Sequence, residues 1–159
     1  MKESLTLKEA QLKLEYYCSY QERCHQEVIQ KLYDLAIYSN EADSIIVHLI
    51  ENNFLNEERF ARSFARGKHR IKQWGKIRIV NELKHRKIST PNINYALSEI
   101  SDEEYHNTFD KLAYNHWETI RETNTQKKKK KFCDYLIRKG WESNLVYEKL
   151  KEMASKGSD

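Results

Sequence analysis

Glycine and proline are scarce, four and one in 159 residues. An all-β fold of this length needs many tight turns built from such residues, so it is excluded, and the abundance of Glu, Lys, Leu, Ile and Asn points to helices. Cysteine is also rare. Cys18, Cys24 and Cys133 are odd in number and have no CxxC spacing, which excludes a disulfide framework and suits reduced thiols. Cys18, Cys24 and His25 lack a further ligand pair at zinc-type spacing, so no metal is expected. No run approaches the roughly 18–20 apolar residues of a spanning helix. Met1 to Leu14 mixes charges with leucines where a secretory signal would be apolar. A cytoplasmic protein with no membrane contact is expected.

Catalytic signatures are missing as well. There is no GxxxxGK[ST] phosphate loop, no HExxH and no GxSxG. His25, His48, His69, His85, His106 and His116 never pair at helical i, i+3 or i+4 spacing, and each is expected to be solvated or half-buried. Glu57, Glu58, Asp102, Glu103 and Glu104 suit helix N-termini better than acid–base chemistry. No catalytic residue and no cofactor are expected, and the protein is read as a non-enzyme.

What is present is charge, sorted along the chain. Hydrophobic residues are 39% and charged residues 33% of the sequence, enough for a core but not a thick one. The net charge of +4 hides an alternation: −4 over Met1–Phe54, +8 over Leu55–Ser98, −5 over Glu99–Gln126 and +5 over Lys127–Asp159. Such sorting marks a surface that faces a polyanion, flanked by acidic faces.

A unit of about fifty residues occurs three times. Two adjacent apolar residues, two spacers, a leucine, four spacers and another apolar residue describe Val28, Ile29, Leu32 and Ile37. Ile79, Val80, Leu83 and Ile88 repeat it, as do Phe132, Cys133, Leu136 and Trp141. After each copy an i, i+4 pair follows: Ile45 with Leu49, Ile93 with Leu97, Val146 with Leu150. These spacings predict two consecutive amphipathic helices per copy. A further helix fits before the second and third copies, carried by Phe60, Ala61, Phe64, Ala65 and Ile71, and by Tyr105, Phe109, Leu112, Ala113, His116, Trp117 and Ile120. The fold class is therefore all-α: tandem three-helix repeats, three copies and about nine helices, in an elongated, curved array. The expected units are residues 1–54 with an N-terminal extension, residues 55–100 and residues 101–159 with a short C-terminal tail.

Capping signals agree with this division. Thr6 with Glu9 and Ser101 with Glu104 have capping-box spacing, Asn56 precedes two acids, and Thr90 reads as a cap before Pro91. Gly75 breaks a helix, and Gly140 sits where a left-handed residue ends one.

The basic residues are the candidate binding surface. Arg66, Lys68, Arg70, Lys72, Lys76, Arg78, Lys84, Arg86 and Lys87, with His69 among them, run through Trp74 and Gly75 in the middle repeat. Lys127, Lys128, Lys129, Lys130 and Lys131 open the last copy, and Arg138 and Lys139 close its first helix. A like-charge run strains its own helix unless anions neutralise it, so either a phosphate ligand or the nearby acids Glu118, Glu122 and Asp134 are expected to do so. The middle basic block reads as a phosphate-contacting surface or an ordinary solvated face. Trp74, Tyr16, Tyr17 and Tyr20 could stack on bases, and core or partner-facing roles compete with that reading.

With these residues in view the chain resembles the RecX family of RecA recombinase regulators, over roughly Leu14 to Met153. Phe54 to Phe64 is similar to that family's aromatic-Leu-acidic-Asp-x-x-Phe-Ala-x-x-aromatic signature. Gly75 to Ile79 with Glu82 and Leu83 is similar to its Gly-x-x-x-Ile then Glu-Leu, and Leu136 to Trp141 to its Leu-x-x-Arg-Gly-Phe. The chain departs at Asn53, where glycine is common, at Asn56 and Glu57, and at Trp141 in place of Phe. The resemblance implies repeats lying in the groove of a RecA-type recombinase filament, impeding its ATPase, extension and strand exchange; the basic residues, on charge, add single-stranded DNA and duplex DNA as expected partners, and a monomer is expected. The resemblance supplies no catalytic residue. Two other classes fit parts of the pattern: a free-standing DNA-binding protein such as a transcription factor, for which no recognition helix is evident, and a protein-interaction scaffold.

Overall fold

The computed structural model describes residues 5–156. The expected N-terminal extension before residue 5 and the last three residues of the tail lie outside them. Among the described residues there are nine helices and no strand. They are α1 (Leu7–Tyr20), α2 (His25–Asp34), α3 (Ser39–Glu51), α4 (Glu57–Lys72), α5 (Lys76–His85), α6 (Thr90–Leu97), α7 (Asp102–Thr119), α8 (Thr125–Arg138) and α9 (Ser143–Lys156). Packing between helices is most extensive within α1–α3, within α4–α6 and within α7–α9. The expected all-α fold of three tandem three-helix repeats is what the chain forms.

The leucine, four spacers and apolar residue have a backbone explanation. In each repeat the middle helix ends on a left-handed residue: Ala36 at φ 59°, Lys87 at φ 59° and Gly140 at φ 97°. The residue after it donates its N–H back to the leucine carbonyl, Ile37 to Leu32 at 2.9 Å, Ile88 to Leu83 at 3.1 Å and Trp141 to Leu136 at 3.2 Å. This is the Schellman arrangement, which satisfies orphan carbonyls and presses the following apolar side chain onto the leucine. All six of these side chains are buried. Burying a leucine contributes roughly 1.5–3 kcal/mol, so each leucine holds both the core and the turn. The same geometry ends α3, where Asn53 stands at φ 61° and Phe54 donates to Leu49 at 2.8 Å. Asn53 occupies a position that favours glycine because asparagine tolerates the left-handed region.

Two cores result. Ala10, Leu14, Cys18, Val28, Leu32, Ile37, Ile45, Leu49 and Leu55 form one. The second and third repeats share the other, from Phe60 and Ala61 through Ile79 and Leu83 to Tyr105, Phe109, Phe132, Trp141 and Met153. Leu55 leads into α4 yet belongs to the first core, and Cys24 from the first repeat joins the second. Arg59 and Glu22 add an ion pair across that seam at 2.6 Å.

The apolar stripe of α4 differs from expectation. Ile71 is 79% exposed, while His69, expected to be solvated or half-buried, is 0% exposed. Phe60, Ala61, Ala65 and His69 are buried and Phe64 packs beside them. That face advances four residues at a time, which places residue 69 inward and residue 71 opposite. Ile29 is likewise exposed, and Val80 is only half-buried.

Caps differ in detail. The Thr6 hydroxyl accepts the Glu9 N–H at 3.1 Å and donates to the Glu9 carboxylate at 2.9 Å, so this carboxylate meets the hydroxyl instead of the Thr6 backbone. Ser101 accepts the Glu104 N–H at 3.1 Å. The Glu104 carboxylate turns away to Arg70. Asn56 caps α4 by accepting the Arg59 N–H at 2.8 Å. The cap of α6 is Ser89, one residue before the expected Thr90. The reason is Glu57 on α4, which accepts from the Ser89 hydroxyl at 3.0 Å and from the Asn92 side chain.

Candidate nucleic-acid interface

The second and third repeats meet end to end. Gly75 caps α5, whose first N–H groups have no helical partner, and Gly140 follows α8, whose last carbonyls have none. The two ends satisfy each other. Gly75 donates its N–H to the Lys139 carbonyl at 2.9 Å and Ile77 donates to that of Gly140 at 3.0 Å. The positive end of one helix dipole thus faces the negative end of the other. The approach is so close that an added Cβ on Gly75 would lie 2.3 Å from the Gly140 oxygen, and one on Gly140 would lie 2.3 Å from the Arg78 Cβ.

Aromatic side chains lock this crossing. The Trp141 indole donates to the Gln73 carbonyl at 3.1 Å. The Tyr105 hydroxyl accepts the Lys76 N–H at 2.8 Å and donates to Glu142 at 2.5 Å. Burial, and then the Glu142 hydrogen bond, push the Tyr105 hydroxyl well above its ordinary range. His69 stacks on Tyr105 at 5.5 Å and lies tilted 5.9 Å from Trp141, and its Nδ1 meets the Trp74 carbonyl at 3.0 Å.

Around the crossing the cations Lys72, Arg78 and Lys139 converge, with Lys68 beside Arg78, although Lys139 lies more than sixty residues further along the chain. The Lys139 ammonium donates to the Lys72 carbonyl at 2.8 Å, and the Arg78 guanidinium donates to the Arg138 carbonyl at 3.3 Å. Arg78 also lies over the Trp74 ring at 4.1 Å, with the Lys68 ammonium 5.0 Å from the same ring. Burial first, and then the charges of Arg78 and Lys72, hold the Lys139 ammonium below its ordinary value. Like charges gathered this way make a site that favours an anion. Lys72 and Arg138 are exposed.

The remaining basic residues fall elsewhere. Arg66 pairs with Glu99 at 3.3 Å, Arg70 with Glu104 at 2.8 Å, and Arg86 with Glu82 at 2.9 Å. Lys76 is 3.9 Å from Asp102 and over the Tyr105 ring at 4.5 Å. Arg86 and Lys87, with Lys68, line a cleft between the first and second repeats, opposite Glu22 and Glu27. Lys84 is exposed on α5. The lysine run occupies the start of α8, about 15 Å along the helix from Lys139 by its rise per residue. There Lys131 pairs with Glu122 at 3.1 Å, Lys130 with Asp134 at 2.6 Å, and Lys128 lies over Trp117 at 4.1 Å, leaving the Lys127 and Lys129 side chains without an ion pair among the described residues. Thus Lys68, Lys72, Arg78 and Lys139 come together, Arg138 joins them through its carbonyl while its own side chain is exposed, and the lysine run forms a second, separate cluster.

Three carboxylates paired with basic side chains are held below their ordinary range, among them Glu99, which also accepts from Arg62 at 3.0 Å. Glu99 is held down mainly by Arg62, Glu104 by Arg70 and Glu122 by Lys131. A carboxyl lowered on folding stabilises the native state above its unfolded value, ordinarily 4.5, and that contribution is lost as pH falls through the lowered value. The melting temperature is expected to be flat near neutrality and to fall between about pH 5 and pH 3. In Glu104→Gln the fall should be smaller; thermal melts across that range check this, and an identical acid limb in the variant counts against the pair.

Residues 56–97 match a family model described as "RecX, second three-helix domain". Regulatory protein RecX of Lactobacillus gasseri is 35% identical over 89 residues, which cover 56% of this chain and 33% of that protein. Regulatory protein RecX of Leuconostoc mesenteroides is 25% identical over 121 residues, 76% of this chain and 45% of that protein. The chain spans between a third and about half of the curated relatives it matches. A crystal structure of RecX from Lactobacillus salivarius superposes with a TM-score of 0.75 at 23% identity, over 91% of this chain and 96% of that one. At that identity the likeness establishes the fold.

Proposed function

The chain resembles the RecX proteins in motif, family model and fold, and from that premise we propose that it is a non-catalytic, cytoplasmic regulator of a RecA-type recombinase filament. It lies in the filament groove as a monomer and impedes ATP turnover, filament extension and strand exchange. The family resemblance supports the recombinase part. The observation that carries the nucleic-acid part is the convergence of Lys72, Arg78 and Lys139, with the exposed Arg138 at the same helix end, where a DNA phosphate would relieve the repulsion within the cluster. No base-reading helix is needed, because the filament supplies register and phosphate contacts carry no sequence information.

The test is the ATPase of a RecA-type recombinase on single-stranded DNA as this protein is titrated, alongside its affinity for filaments, naked single strands and duplex from low to high salt. Suppressed turnover with filament-preferring binding is expected. No effect on turnover at saturating protein would sink the regulator reading, and stronger binding to naked duplex would favour a DNA-binding protein acting alone.

A further inference from the structure

The first repeat holds an aromatic groove that the function proposed above does not use. Along the outer face of α1, Leu12, Tyr16 and Tyr20 follow one another at helical-turn spacing, and both tyrosines are 72% exposed. Single exposed apolar residues are ordinary. These three, however, line one groove of about 490 Å³ together with Tyr17, Leu35 and three cations, Lys13, Arg23 and Lys31. No carboxylate lines it, although the repeat as a whole is acidic.

One cation is held in place. The Arg23 guanidinium lies over the Tyr17 ring at 3.7 Å, donates to the Tyr17 carbonyl at 3.0 Å and reaches Glu27, which does not line the groove, at 3.5 Å. Lys31 stands 5.5 Å from the same ring. The Tyr16 and Tyr20 ring centroids are 6.4 Å apart with their planes 35° from parallel, so the two rings form one exposed, tilted aromatic pair on the helix face.

We propose that this groove binds unpaired nucleotides of single-stranded nucleic acid, with a base against Tyr16 and Tyr20 and its phosphate toward Lys13, Arg23 and Lys31. Aromatic faces stack on any base, so the contact is sequence-tolerant and unavailable to paired bases inside a duplex. The groove volume lies in the range of small-ligand sites. An acidic peptide would satisfy the cations but would leave two exposed ring faces without a flat partner. The site does not depend on the recombinase reading, since it concerns the first repeat and nucleic acid alone.

Fluorescence anisotropy on the whole chain tests it, with a labelled oligothymidylate of about ten nucleotides against an abasic backbone of equal length. The oligothymidylate should bind more tightly. Tyr16→Ala with Tyr20→Ala should weaken it about five- to a hundredfold, with the salt dependence kept, while Tyr16→Phe with Tyr20→Phe should bind as the parent does. Both tyrosines are exposed, so unchanged thermal melts are expected and show that folding is intact. Removing Lys72 and Arg138 should instead flatten the salt dependence and leave the preference over the abasic backbone. Equal binding of both backbones, parent-like affinity in the alanine variant, or displacement by polyglutamate as effective as by oligothymidylate would overturn the proposal.

Discussion

Gly140→Ala is expected to destabilise the fold by about 2–5 kcal/mol, from about 1–2 kcal/mol for a side chain in the left-handed region and about 1–3 kcal/mol for overpacking. Its φ of 97° suits glycine, and the added methyl meets the Arg78 Cβ and backbone nitrogen within 2.5 Å. Neither can retreat, because Arg78 follows directly on Ile77, whose N–H is bonded to the Gly140 carbonyl itself. Gly75→Ala separates the two effects. Its φ of −77° is open to any residue, so only the 2.3 Å approach to the Gly140 oxygen remains, and a loss of about 1–3 kcal/mol is expected. The double variant should cost less than the two single ones together, since both break one interface. Urea or thermal melts measure all three; a Gly140→Ala change within about 0.5 kcal/mol, the range of neutral surface substitutions, would mean the crossing is not the closure described.

Replacing Lys72, Arg78, Arg138 and Lys139 together by alanine is expected to flatten the dependence of single-strand affinity on salt by a slope of roughly 2–3, at about 0.7 per phosphate contact. Lys72→Ala with Arg138→Ala is the cleaner pair. Both are exposed and neither side chain forms an ion pair among the described residues, whereas Arg78 and Lys139 also hold the crossing through carbonyl bonds. Removing Lys72 takes a repelling charge from Lys139, so the pair should melt at or above the parent temperature. Lys127→Ala with Lys129→Ala, at the other end of α8, serves as the comparison. If that pair flattens the slope and the junction pair does not, the phosphate surface lies along the lysine run.

The fold was legible where packing and backbone geometry speak through the same residues. Leu32, Leu83 and Leu136 with Ile37, Ile88 and Trp141 form a pattern because a buried anchor and a left-handed turn impose one spacing. The face of α4 was less legible, because hydropathy alone favoured Ile71 over His69 and gave no sign that a histidine would sit among Tyr105 and Trp141. Glu57 and Glu104 were read as local helix-start charges. Their actual partners, Ser89, Asn92 and Arg70, lie more than thirty residues away. The candidate site was legible only as a list of cations. That Lys72 would meet Lys139 while Arg66 and Arg70 would be taken up by carboxylates follows from the end-to-end seating of α5 on α8. The two glycines of that seating were visible as helix breakers, but their facing each other was not.

The cap that α4 lends to α6 bears on how the middle repeat opens and closes. α6 has only eight residues, too few to survive as an isolated helix once the cost of nucleation is counted, and its own Ser89 and Asn92 side chains are committed to Glu57. It therefore forms upon α4 or not at all. Breathing of the second repeat should be a concerted event, in which the amides of α6 lose protection from solvent exchange together with their partner helix instead of fraying one turn at a time.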